Sequence, residues 1–158
     1  MLSRDKMKIL YLSTYNVSRS IIAESITRKY QENGIKAMSA GSHPRDDIEP
    51  VAHRILKQHH YSSTNLVSKS WDRFNNWQPD IVITLCDKIL KIKCPAFVGK
   101  SVHVHWELPD PATQSGSMEE NYTKTFEILD QRIKKMLEND ITKLDKTELR
   151  AHLKRVIE

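Results

Sequence analysis

Cysteine is scarce in this chain, with only Cys86 and Cys94 among 158 residues. Two thiols do not build the disulfide framework of a small secreted domain, so a reducing, cytoplasmic setting is expected. Long apolar runs are missing too. None approaches the roughly eighteen residues that a membrane-spanning helix requires, and residues 1–7 are too polar for the core of an export signal. No membrane role is expected. The absence of internal repeats and low-complexity tracts excludes solenoid and fibrous architectures. Charge is not strongly one-sided. The formal net charge of +5 permits an anionic partner, but charge speaks to encounter and solubility rather than to fold. Many of the basic residues fall late, at Lys143, Lys146, Arg150, Lys154 and Arg155, interleaved with Asp145, Glu148 and Glu158. That is the pattern of a mixed-sign solvated face. With no aromatic platform beside it, nucleic-acid binding is not expected.

What is present is an alternation of strands and helices. Apolar residues at 8–12, 35–40, 80–85 and 101–105 read as four strands, and the β-branched run at 80–85 suits a central parallel strand covered on both faces. Helical spacing runs over 20–32, where Ile21, Ile22, Ile26 and Tyr30 share a face until Asn33-Gly34 stops it. Pro50 opens a second helix with Val51, Ile55 and Leu56 on one stripe. A short helix is expected over 71–77, a long one over 118–137, and roughly helical spacing over 141–157. Alternation of this kind predicts a three-layer α/β sandwich around a four-stranded parallel sheet. Its ligands gather at the carboxyl ends of the strands, beside a topological switch point.

Residues 13–20, Ser-Thr-Tyr-Asn-Val-Ser-Arg-Ser, lie at such an end, between the first strand and the first helix. A strand, a tight loop and a helix N-terminus make an oxyanion cradle, because unpaired backbone N–H groups converge at the positive end of the helix dipole. Arg19 adds a planar, bidentate anion clamp. The spacing resembles the phosphate loop of the low-molecular-weight tyrosine phosphatases and the thioredoxin-coupled arsenate reductases, in which a cysteine, five residues and an arginine bind and attack a tetrahedral oxyanion. Three further segments follow that family's order. Residues 39–44, Ser-Ala-Gly-Ser-His-Pro, resemble its second-strand signature. Residues 84–95 resemble the reductase branch's segment with two redox cysteines, and His105-Trp106 followed by Pro109-Asp110-Pro111-Ala112 resembles its acid loop.

The resemblance implies a phosphotyrosine protein phosphatase I-like fold over 8–139, a polar extension at 1–7 and a C-terminal helical extension at 140–158. It implies that Thr14, Tyr15, Asn16, Val17, Ser18, Arg19 and Ser20 surround a phosphate, sulfate or arsenate. Asn16 would hold the loop's strained shape, Ser20 would hydrogen-bond the group at position 13, and Asp110 would be the general acid. On its own, Asp110-Pro111 also reads as a turn starter. Cys86 and Cys94 are possible redox residues in a thiol relay ending at thioredoxin, or two small residues near a strand end. No cofactor or metal is implied. A zinc site from Cys86, Cys94, His103 and His105 has suitable residue types but no close cysteine pair. Some reductase relatives bind potassium near the loop. Asn16, Glu24 and Ser39 match three of its ligand positions, and the fourth falls near Lys69, whose ammonium would replace the ion.

Ser13 decides the chemistry. A helix N-terminus and an arginine can hold a thiol as thiolate at neutral pH, but the same field does not ionise an alcohol, which needs a positioned base. The nearest histidine in the family layout is His43. A non-nucleophilic Ser13 is the expectation, whether native or a replacement of the kind that traps substrate. The function expected is oxyanion binding with little or no turnover. The alternative is a pseudophosphatase that docks a phosphoprotein, with Leu149, Leu153 and Ile157 of the terminal helix packing on the domain or on a second chain. Tyr15 would narrow the mouth or stack on an aryl phosphate.

Overall fold

The strands form where the sequence offers apolar residues on both faces. In β1 (Met7–Ser13), Ile9, Leu10, Tyr11 and Leu12 are all fully buried. Ile9 and Tyr11 enter one core cluster, Leu10 and Leu12 the other, because successive side chains alternate across the sheet. The computed structural model describes residues 6–158, so most of the extension expected at 1–7 lies outside the described residues, and Met7 already belongs to β1. β2 is Ile35–Gly41, β3 Ile81–Thr84 and β4 Val102–His105. All pair in parallel in the order β2-β1-β3-β4. The chain therefore leaves β1 toward one edge and later builds toward the other. This makes the carboxyl end of β1 the switch point.

Helices on one face and shorter pieces on the other complete three layers. The thick face carries α1 (Arg19–Arg28), α2 (Pro50–Gln58), α4 (Met118–Leu137) and α5 (Lys146–Arg155). The thin face is made of 3-10 turns at Trp71–Phe74 and Asp87–Lys91 and the five-residue α3 (Ala96–Lys100). Phe97 and Val98 of α3 are buried, but one turn is too short to show a helical period, so no residue pattern announces it. The helix expected over 20–32 ends at Arg28. Gln31–Asn33 then forms a separate 3-10 turn, closed by Gly34 at φ 81°, the left-handed position that glycine occupies without strain.

Just past α2, His59 stacks on Phe126 at 4.1 Å and Tyr61 meets the same ring edge-on at 5.4 Å, while His60 is exposed. One expectation needs correction. The tail at 141–157 is not one helix but a 3-10 turn, Ile141–Lys143, followed by α5 behind a capping box of Asp145 and Glu148. Leu149 and Leu153 of α5 are buried in the main core, and the Trp106 indole Nε1 donates to the Leu153 carbonyl at 2.9 Å. Only Ile157 of the three terminal apolar residues remains exposed.

Candidate functional site

The loop after β1 is shaped by where its carbonyls go. Thr14 O accepts from His43 N at 2.8 Å, Tyr15 O from Ser68 Oγ at 2.9 Å and Val17 O from Glu49 N at 3.0 Å. In a trans peptide the C=O of one residue and the N–H of the next point opposite ways. Tying these carbonyls outward therefore turns the amides of Tyr15, Asn16 and Ser18 inward. Gly41 of β2 lets the strand approach, since a Cβ there would stand 2.7 Å from Thr14 O and 3.0 Å from Ser13 O.

Asn16 is the keystone of the curve. It is fully buried and left-handed at φ 53°, a conformation that costs most L-residues about 1–2 kcal/mol and asparagine less. Its Oδ1 accepts from Lys69 N at 3.0 Å, and its Nδ2 donates to Ser20 Oγ at 2.8 Å and Ser39 Oγ at 2.9 Å. Ser39 Oγ donates in turn to Glu24 Oε1 at 2.5 Å. Glu24 is fully buried and pairs with Lys69 Nζ at 3.2 Å and with Arg28. The ammonium thus stands among Asn16, Glu24 and Ser39. Burial pulls the Lys69 pKa down while Glu24 opposes that shift.

Ser13 lies at the base of the loop. Its hydroxyl shares a 2.6 Å hydrogen bond with Ser20 Oγ and accepts from Asn16 N at 3.2 Å. The His43 ring is exposed and bonded to Ser42 Oγ at 2.9 Å, so among the described residues no imidazole reaches Ser13. Ser18 caps α1, yet its side chain makes no cap hydrogen bond. Its hydroxyl is taken instead by Tyr122 OH of α4 at 2.7 Å, which leaves the first-turn amides unclaimed by that oxygen. Sequence reasoning missed Tyr122. It lies 104 residues away in an ordinary helical stripe, and only packing brings it to the loop.

Arg19 and Asp110 are brought together. Arg19 Nη1 donates to Leu108 O at 3.1 Å, and Nη2 stands 3.9 Å from Asp110 Oδ2. Asp110 also accepts from Ala112 N at 3.0 Å, the turn-starting role read from its sequence context. Cys86 is buried beside the loop, its Sγ 3.2 Å from Thr14 Oγ1. Cys94 is half-buried, bonded weakly to Ile92 O at 3.7 Å, and burial pushes its thiol pKa up. Both cysteines are free. His103 and His105 share one face of β4, and both meet Thr84 Oγ1, at 3.1 and 2.8 Å. No three His, Cys, Asp or Glu residues gather as metal ligands among the described residues, and no described helix is long and apolar enough to cross a membrane. A concavity of about 310 Å³ near the opposite, amino ends of the strands is lined by Met7, Asp80, Lys100 and Leu149 among others, with no serine, threonine or cysteine in its lining.

The sequence profile of the low molecular weight phosphotyrosine protein phosphatase family matches residues 8–150. Arsenate reductase 1 of Bacillus cereus is 31% identical over 134 residues, covering 85% of this chain and 96% of its own length. Among solved structures, an arsenate reductase in the phosphate binding state superposes with a TM-score of 0.68 at 22% identity, covering 80% of this chain and 93% of its own. The tyrosine phosphatase Wzb from Escherichia coli K30, in complex with sulphate, does so with a TM-score of 0.65 at 20% identity, covering 80% and 92%.

Proposed function

This chain belongs to the low molecular weight phosphotyrosine protein phosphatase family, and from that premise we propose that its 13–20 loop binds a tetrahedral oxyanion with little or no turnover. Phosphate, arsenate and sulfate share the required shape and charge. Inward amides and the N-terminus of α1 supply fixed positive potential, and the Arg19 guanidinium supplies a fork that matches two anion oxygens. Asp110 stands 3.9 Å from the Arg19 guanidinium. It competes with the anion for Arg19 until the anion, with more charge and more acceptors, displaces it.

The observation that carries the second half of the reading is the bonding of Ser13. Its hydroxyl is engaged by Ser20 Oγ and by Asn16 N, and among the described residues no base is hydrogen-bonded to it to take its proton. A thiol there would be held as thiolate by the same donors, whereas an alcohol is not. A relay to Cys86 and then Cys94 needs a sulfur at position 13 to begin, because each thiolate attacks the preceding sulfur. Arsenate reduction with thioredoxin therefore fails as the sequence stands. In a reducing, cytoplasmic setting the protein acts as a holder of phosphate-like groups, free or on a partner.

Inorganic phosphate titrated into the protein and followed by calorimetry should bind at the loop, and Arg19→Ala should weaken it by about tenfold or more, the size of a charge-assisted pair. The unaltered protein should not hydrolyse p-nitrophenyl phosphate, and Ser13→Cys should do so readily. Equal hydrolysis by both forms would contradict an inert serine. Unchanged phosphate affinity in Arg19→Ala would place the anion elsewhere.

A further inference from the structure

Tyr15 is the one aromatic residue of the loop, and it stands half-exposed between buried Thr14 and Asn16. Its ring is already engaged by two cations. The Arg45 guanidinium lies over it at 4.3 Å from the ring centroid, and Lys88 Nζ approaches the same ring at 5.9 Å. These two cations come from different parts of the chain. Arg45 lies between β2 and α2, and Lys88 in the 3-10 turn after β3.

Arg45 is braced from behind. Ser68 Oγ accepts from Arg45 N at 2.9 Å and donates to Tyr15 O at 2.9 Å, so one hydroxyl joins the backbones of both residues. Among the described residues neither Arg45 nor Lys88 forms an ion pair, although Asp46 and Asp47 follow Arg45 directly. A tyrosine ring holds a cation by its quadrupole without neutralising it. The guanidinium edge stays able to take a carboxylate in bidentate fashion. Arg19 and the loop amides can serve only one tetrahedral head, so the two rim charges act on whatever lies next to that head.

We propose that Tyr15, Arg45 and Lys88 form a second anion subsite, and that the ligand is a phosphorylated peptide with a carboxylate side chain adjacent to the phosphorylated residue. This rests on the oxyanion reading of the 13–20 loop. Neighbouring Cα atoms of a peptide are about 3.8 Å apart, so the side chain of an Asp or Glu beside the phosphoresidue comes within reach of the rim when the bound peptide is not a regular strand. A phosphopeptide flanked by apolar or basic residues gains nothing there, or is repelled.

The test uses the whole protein with Ser13 in place, which leaves peptides intact. Two fluorescent phosphotyrosine peptides, one with Glu on both sides and one with Gln, are titrated by anisotropy, with inorganic phosphate as competitor. The Glu peptide should bind about fivefold tighter or better, the scale of two partly exposed ion pairs. Arg45→Gln with Lys88→Gln should erase that preference while phosphate competes as before, and Arg45→Glu with Lys88→Glu should reverse it in favour of a Lys-flanked peptide. Equal binding of the Glu and Gln peptides to the unaltered protein overturns the proposal. So does a preference that survives both double variants, or an equal loss of inorganic phosphate binding in them. If phosphate itself does not bind the unaltered protein, the loop reading fails first, and the phosphate arm alone reveals it.

Discussion

Single residues carry the strain of the loop. Asn16 accepts a left-handed backbone because three side-chain hydrogen bonds fix it there, to Lys69 N, Ser20 Oγ and Ser39 Oγ. Replacing it with alanine removes all three and leaves the backbone with a residue that resists this conformation. At about 1 kcal/mol per hydrogen bond and a further 1 kcal/mol of strain, Asn16→Ala should lose about 2–4 kcal/mol of stability in urea unfolding, together with phosphate binding. A loss below about 0.5 kcal/mol would mean that the loop is held by other contacts. Asn16, Arg19 and Ser20 were legible as loop residues because their spacing is local. Tyr122 and the place of Arg45 over Tyr15 were not, because each joins parts of the chain with no common periodic signal. Lys69 was legible only through family resemblance, since a lone lysine in a polar stretch reads as surface, yet this one is 4% exposed.

At the scale of elements, α5 is part of the domain's core rather than a free arm. Leu153 is fully buried, and its carbonyl receives the indole of the fully buried Trp106, which directly follows β4. Leu153→Ala should therefore cost about 2–5 kcal/mol by chemical denaturation, as large-to-small core changes do. Sizing chromatography should show no change in assembly. A negligible cost with a shift in oligomeric size would instead assign this face to a second chain. The spacing of Leu149 and Leu153 predicted a helix with an apolar side. It could not say against what that side packs, because an amphipathic pattern specifies a buried face without naming its partner. The thin layer was less legible still. Its pieces are one or two turns long and are fixed by the sheet face beneath them rather than by their own periodicity.

At the scale of the whole molecule, one pH dependence of stability is expected from a histidine on an edge strand. Burial, and then the neighbouring His105, lower the His103 pKa below its usual 6.5. The unfolded chain therefore binds a proton at a pH where the folded one does not. Stability must fall as pH drops through about 6.5 toward the lower folded value, and it is unaffected by this group at higher pH. Melting temperatures taken at pH 7.5 and 5.5 should fall less in His103→Gln than in the unaltered protein, and equal falls would remove His103 as a cause. Taken alone, the sequence determined that four apolar runs alternate with helices, and it determined the order of residues around an anion loop. Both follow from local patterns of burial and from spacings that a short backbone segment can satisfy by itself. Only the tertiary structure decided that Tyr122 holds the cap hydroxyl, that α5 closes the core and that two cations meet over Tyr15. Those arrangements join residues tens of positions apart. Close packing in three dimensions selects them, and the order of residues along the chain does not display it.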